Sequence, residues 1–450
     1  MRANHLGFGL ACGVAALAAA ALPSQRAAAQ EVTFTRDVAP ILYENCVECH
    51  REGSFAPMAL VTYQQARRYA RMIRYRVEER IMPPWHVDRT LGIQDFANSV
   101  ALTDEEIQTI VDWVDAGSPE GNPADLPSLT LPEPGGWQAE ALIGRPPDLV
   151  IHSTPFDVGA EDQDQWWNPD VPWEALGQER YMVAYEFKPR YPDGLRVVHH
   201  GHANVSFEGD DGRRNGVAVA HYGVGKGYEV FPDGVGMPIP GTEGTVSWNL
   251  HYSSLGTDHD VPGDVVDVGL WLMPEGEEPD HITEGEVLFR VDGHNQYDRP
   301  MTRANDILIP PHGYQVLQGL HVLEENTLIS SYRPHAHTRG KEMSMEAIYP
   351  DGRREMLGKV DDYKHIWQLG YEFTEDAKPL LPKGTVLMFT SVFDNTADNP
   401  LNPDPNQWVV FGRRGPDEMS HMWVGISYLS DEEYEELKRQ RENVPVASAN

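Results

Sequence analysis

Four stretches of this 450-residue chain carry residue types at spacings that hold metals or cofactors: Cys46-Val47-Glu48-Cys49-His50, Val197-Val198-His199-His200-Gly201-His202, Asn249-Leu250-His251-Tyr252 and Arg333-Pro334-His335-Ala336-His337. The first is the attachment sequence of a c-type haem. Two thiols three residues apart on one turn reach both vinyl groups of the porphyrin, and the adjacent His50 then projects beneath the iron as proximal ligand. A zinc half-site would need a second ligand pair, which the surrounding segment lacks. A thioredoxin-type redox pair would need a βα context, whereas helical patterns dominate here. Cys12 lies in an apolar leader, so Cys46 and Cys49 are the only thiols of the mature chain and leave nothing over for a disulfide.

Met58, Met72, Met82 and His86 are candidates for the sixth iron ligand. Met72 falls mid-helix among arginines, where packing accounts for it. Met82 ends a helix just before Pro83-Pro84, which frees its side chain from helical packing and holds the chain extended. That segment resembles the one from which small cytochromes c present their methionine. Met82 is therefore the expected ligand and His86 the runner-up, and Met ligation would raise the potential for electron transfer.

The other three stretches are histidine groups, and imidazole suits copper, zinc, iron and nickel. His335 and His337 are two apart, so on a strand they face one side and can share a metal. His199 and His200 are adjacent, and a regular strand would point them apart, so they share a metal only at a bend. His200 and His202 meet strand geometry more simply. The isolated histidines 152, 221, 259, 281, 294, 312, 321 and 365 are read as structural.

Taken in order, these groups resemble the copper type II, ascorbate-dependent monooxygenases, which include peptidylglycine α-hydroxylating monooxygenase and dopamine β-monooxygenase. The likeness runs over most of residues 190 to 428. It passes through His199-His200, His251-Tyr252, His335-Ala336-His337 with Gly340-Lys341, Asp394-Asn395-Thr396 and Asp417-Glu418-Met419. It implies two β-sandwich domains, one copper on each, across an open cleft. It implies one copper on His199, His200 and His251 and a second on His335, His337 and Met419, with His202 as an alternative ligand. Three imidazoles hold copper in both oxidation states, whereas a thioether favours Cu(I), so the Met site is expected to bind dioxygen and face a small-molecule substrate. Arg333 shares a strand face with both histidines and is expected either to clamp a substrate carboxylate or to pair with one of the chain's many acidic residues. Two departures stand out: the animal enzymes carry disulfides and take electrons from ascorbate, while this chain has no disulfide and its own haem. After the Met ligand, moreover, His421 and Trp423 stand where the peptide-binding branch has Asn and Tyr.

The elements that must position these residues are legible in outline. Residues 1–29 read as a secretory signal: Arg2, an apolar run from Leu6 to Leu22, and Ala27-Ala28-Ala29 before Gln30. Residues 30–120 read as a small α-helical cytochrome c domain. Capping boxes at Thr62-Gln65 and Thr103-Glu106 open its helices, and Pro83-Pro84 and Gly117 close them. A Pro-rich linker covers 121–147. Beyond it, short apolar runs such as Val265 to Leu272 and Val386 to Phe393 alternate with Gly, Pro and Asp turns, the pattern of antiparallel sheet. Two jelly-roll-like sandwiches are expected, over 148–304 and 305–450, with a terminal helix from Asp431 to Arg441. No later stretch is long and apolar enough to span a bilayer. The formal net charge is −33, and −35 once Arg2 and Arg26 leave with the signal, which repels nucleic acid and anionic lipid.

Together these readings predict a periplasmic or secreted monooxygenase with two copper ions and one covalent haem c. It would hydroxylate a C–H bond with O2, drawing on a periplasmic electron donor. The alternative is a non-catalytic copper-binding or electron-transfer protein. A hydrolase fits poorly, because no carboxylate sits beside the histidines as a base.

Overall fold

The computed structural model describes residues 31–443 except 53, 55, 132–135, 163, 210–211, 224–226, 255–256 and 292–306. The signal segment lies outside the described residues. Sheet predominates, preceded by helices.

The helical part forms where the capping signals fall. Thr62 and Gln65, and Thr103 and Glu106, close reciprocal capping boxes on Tyr63–Glu78 and Asp104–Asp115. These helices pack with Ala39–Asn45 over a core of their own, built on Phe34, Leu42, Ile73, Val77, Ile110 and Trp113. Gly117, at φ +87°, turns the chain out of the last helix as glycine readily does.

The stretch between those helices does not stay with them. Residues 85–98 run onto the C-terminal β region. Val87 bridges Val360, Phe96 bridges Phe373, and Trp85 packs edge-on to Tyr371. Val87 and Phe96 are buried in that region's core. The linker is structured in part as well. Its helix Gln138–Ile143 packs on strands Arg180–Pro189 and Tyr228–Val230, and Trp137 just before it reaches over strand Val266–Leu272 to cover Gly269 and meet Trp271 edge-on. This cover explains why every residue of Val266–Leu272 is buried, in a run without alternation.

Two two-layer β units follow. In the first, strands Leu149–His152, Val266–Leu272, Arg180–Pro189 and Val235–Ile239 make one layer. Asp164–Trp167, Gly244–Ser253, Val198–Glu208 and Arg214–Gly223 make the other. Phe187, Val268 and Leu270 meet Val205, Trp248 and Leu250 between them. In the second unit, His281–Arg290, Ser420–Leu429 and Asn326–Ala336 face Tyr314–Val322, Val386–Asp394, Gly340–Ile348 and Arg354–Val360. Val386–Asp394 alternates inward and outward, as a strand with one buried face must.

The change of unit comes earlier than the expected residue 305. His281–Arg290 pairs with Ser420–Leu429, and Phe289 is buried in the second core. The two units are also not separate sheets. Val235 and Gly236 pair in parallel with His281 and Ile282, which joins the front layers into one ten-stranded sheet. Among the described residues no helix is long and apolar enough to cross a membrane.

Candidate metal centres

The first histidine group is built by a bulge. His251 pairs with His200, but Tyr252 pairs with Val198, so His199 is the extra residue on its strand. That irregularity turns two adjacent imidazoles toward His251, which is the bend the sequence required. Gly201 follows because its position touches the Phe187 ring; a Cβ there would stand 2.5 Å from it. His251 Nδ1 lies 3.4 Å from His199 Nδ1 and 3.2 Å from His200 Nε2. Three nitrogens at a metal–nitrogen distance of about 2.0–2.1 Å in a tetrahedron would stand about 3.3–3.4 Å apart, so the set fits a single ion. His251 Nε2 donates to Asp164 Oδ1 at 2.8 Å, the carboxylate partner that fixes ring orientation at metal sites. Trp166 stacks on the other side of His251 at 4.3 Å. Burial holds His199 neutral, its pKa pushed down to about 3, and pushes His200 well down too; neutral imidazole is the ligand form.

The second group sits at the end of strand Asn326–Ala336. Its rings are 5.3 Å apart, and both Nδ1 atoms are engaged. His335 Nδ1 meets Gln368 Oε1 at 3.2 Å, and His337 Nδ1 donates to the Asp417 carbonyl at 3.1 Å. Both Nε2 atoms are thereby left for a metal. Buried Glu418 accepts from the backbone N–H groups of His337 and Arg339 and ties the ligand loop to the segment carrying Met419. Burial raises the Glu418 carboxyl to about 8. Met419 follows directly and is half-buried. Burial lowers the His337 imidazole to about 4.

The two groups do not face each other across an open cleft. The rings of His200 and His335 are 5.7 Å apart, and both groups line one cavity of about 780 Å³. Closure follows from the continuous front sheet, which fixes one unit against the other. His202, the alternative ligand, lies outside the three-nitrogen set; it packs between His221 and Trp423.

Of the two expectations for Arg333, the structure forms the pairing with an acidic residue. Its guanidinium is buried, pairs with Glu286 and lies over the Trp423 ring, and the residue does not line the cavity. The same Glu286 pairs with His221 of the first unit. This partner carboxylate lies 47 positions away along the chain. His421 stacks on His335 at 4.6 Å. His365, read from sequence as structural, lines the cavity, as do Asp164 and Gln368. No spacing marks these three; each reaches the site by a long-range approach of loops or strand ends.

In the helical unit, Cys49 N and His50 N both donate to the Cys46 carbonyl, winding the motif into a turn. Both cysteines are free thiols, and burial raises their pKa to about 12. A redox-active thiol pair needs the opposite shift. His50 Nδ1 donates to the Met58 carbonyl at 3.0 Å, leaving Nε2 for an iron. Residues and chemistry therefore fit a covalent haem. Met58 is tied to the His50 side by that bond, and Met72 is half exposed. Val87, next to His86, is bridged to the second β unit. Met82 is half-buried just past the helix end, its backbone N–H on the Arg76 carbonyl. Pro57, beside Met58, lines the histidine cavity.

No protein-family model matches the chain, and neither does any curated protein. Among solved structures it is similar to the CBM22-1-CBM22-2 tandem domain of Paenibacillus barcinonensis Xyn10C, at 10% identity over 62% of this chain and 87% of that one, with a TM-score of 0.16. PNGF-II matches at 9% identity over 62% and 65%, with a TM-score of 0.25. Bacillus subtilis oxalate decarboxylase matches at 8% over 60% and 85%, with a TM-score of 0.12. Scores this low carry no argument about fold or activity.

Proposed function

We propose that this chain is a periplasmic dinuclear-copper monooxygenase that hydroxylates a C–H bond with O2, its electrons supplied through a covalent haem c on residues 30–120. In this reading the β units are two jelly-roll-like sandwiches, His199, His200 and His251 hold one copper, and His335, His337 and Met419 hold the other. The observation that carries it is the pair of differently built histidine groups opening on one cavity, which the loop after the haem motif also borders. Copper at these sites would supply two one-electron equivalents, and a thioether site with an open position suits dioxygen.

The chain's own residues do the positioning. Asp164, Gln368 and the Asp417 carbonyl fix the ring nitrogens, Glu418 holds the ligand loop, and the cavity walls bound the substrate space. Purified protein should contain two coppers and one haem per chain, and should consume O2 with a reductant while forming a hydroxylated product. Met419→Ala should keep the first copper and lose O2 consumption. One copper per chain, or full turnover in Met419→Ala, would overturn the assignment. Two coppers without any O2 consumption would favour the non-catalytic reading instead.

A further inference from the structure

His365 belongs to neither histidine group, yet it stands in the same cavity. It lies on the loop between strands Arg354–Val360 and Tyr371–Glu372 of the second β unit, and three residues on Gln368 orients His335. The loop is pressed against the first unit at Gly223, where a Cβ would come within 2.9 Å of Gln368. The His365 ring is 6.2 Å from that of His199, against 4.8 to 5.4 Å among the three rings of the first group. Its Nδ1 is buried and has no hydrogen-bond partner among the described residues. An unpaired buried imidazole nitrogen has lost its hydration without a replacement partner, which is unfavourable. Two polar groups that line the cavity with it are committed elsewhere: Asp164 to His251, and Gln368 to His335.

Resting on the copper reading of the first group, we propose that His365 is a fourth imidazole ligand of that centre. It is contributed across the junction by the opposite β unit. The bound ion then satisfies the orphaned nitrogen. It also links the two units, so that loading the first site stabilises the closed arrangement of both groups.

The test uses the full haem-containing chain in a His337→Ala background, which leaves the second group one imidazole. Cu²⁺ is titrated against a competing chelator, and the copper EPR spectrum is recorded with its nitrogen hyperfine pattern. His365→Phe keeps a ring of similar bulk, and His365→Gln guards against a packing defect in that variant. Both should raise the Cu²⁺ dissociation constant at least about tenfold, the lower end of what even outer partners of ligands contribute. Both should also remove one nitrogen from the hyperfine pattern and reduce the rise in Tm on adding copper. An unchanged dissociation constant and spectrum in both variants would overturn the role of His365 while leaving the three-histidine site standing. Failure of the background chain itself to bind Cu²⁺ would overturn the first centre and the inference together.

Discussion

At the scale of single residues, the chemistry rests on which imidazole nitrogen is left free. His251 spends Nε2 on Asp164, and His335 and His337 spend Nδ1 on Gln368 and the Asp417 carbonyl. Asp164→Asn keeps the shape and removes the charge-assisted partner. It should weaken copper binding at the first site about ten- to hundredfold while leaving the haem spectrum unchanged. Competitive copper titration beside a haem absorbance spectrum reads both, and unaltered affinity would remove Asp164 from the site. The cysteine pair, His50 and the histidine groups were legible in the sequence because their spacing encodes a shared direction. Asp164, Gln368 and His365 were not, since a lone residue has no spacing to read. Arg333 was legible only as a choice between a substrate and an acidic partner. Its strand face was read correctly, but the face leads to Glu286 rather than to the cavity.

At the scale of elements, local signals located the two capped helices, the terminal helix and strands at Val266–Leu272 and Val386–Asp394, and the structure adds the remaining strands and where all of them dock. The capping boxes at Thr62 and Thr103 are formed as written, and the terminal helix runs Asp431–Asn443. The bulge at His199 could be required from sequence but not located, because register depends on the partner strand. The linker looked featureless, since its helix Gln138–Ile143 is short and is held by tertiary contacts. One of these is the Ala139 N–H donating to Glu186 at 2.9 Å. Burial pushes the Glu186 carboxyl up to about 7, against the lowering effects of that bond and of Lys188. An acid whose pKa is raised on folding contributes most stability below its unfolded pKa of about 4.5 and loses it as pH climbs through the folded value. Unfolding free energy should therefore fall by roughly 3 kcal/mol from this group between about pH 4.5 and pH 7. Denaturant titrations of Glu186→Gln across that range should show a flatter dependence than the parent chain. Parallel curves would mean that folding does not raise the Glu186 carboxyl.

At the scale of the whole molecule, three parts converge on one cavity, and buried contacts that no local pattern announces hold them there. Glu286 of the second unit pairs with both Arg333 and, across the junction, His221 of the first. Glu286→Gln should leave the buried guanidinium uncompensated and cost about 3–5 kcal/mol. It should also loosen the junction, seen as faster amide exchange on Arg214–Gly223 and His281–Arg290 together; a loss confined to one strand would argue against a shared lock. The helical unit is tied in twice. Residues 85–98 dock on the second unit, and Pro57, in the loop after Cys46–His50, borders the cavity that both histidine groups line. A passenger haem domain would need no such contact. In the copper-loaded chain, reduced haem should therefore be reoxidised by O2 faster than in the same chain stripped of copper. Stopped-flow absorbance at the haem bands measures it. If reoxidation is equally slow with and without copper, electrons do not pass from haem to copper within the chain, and the external donor must reach the copper sites directly.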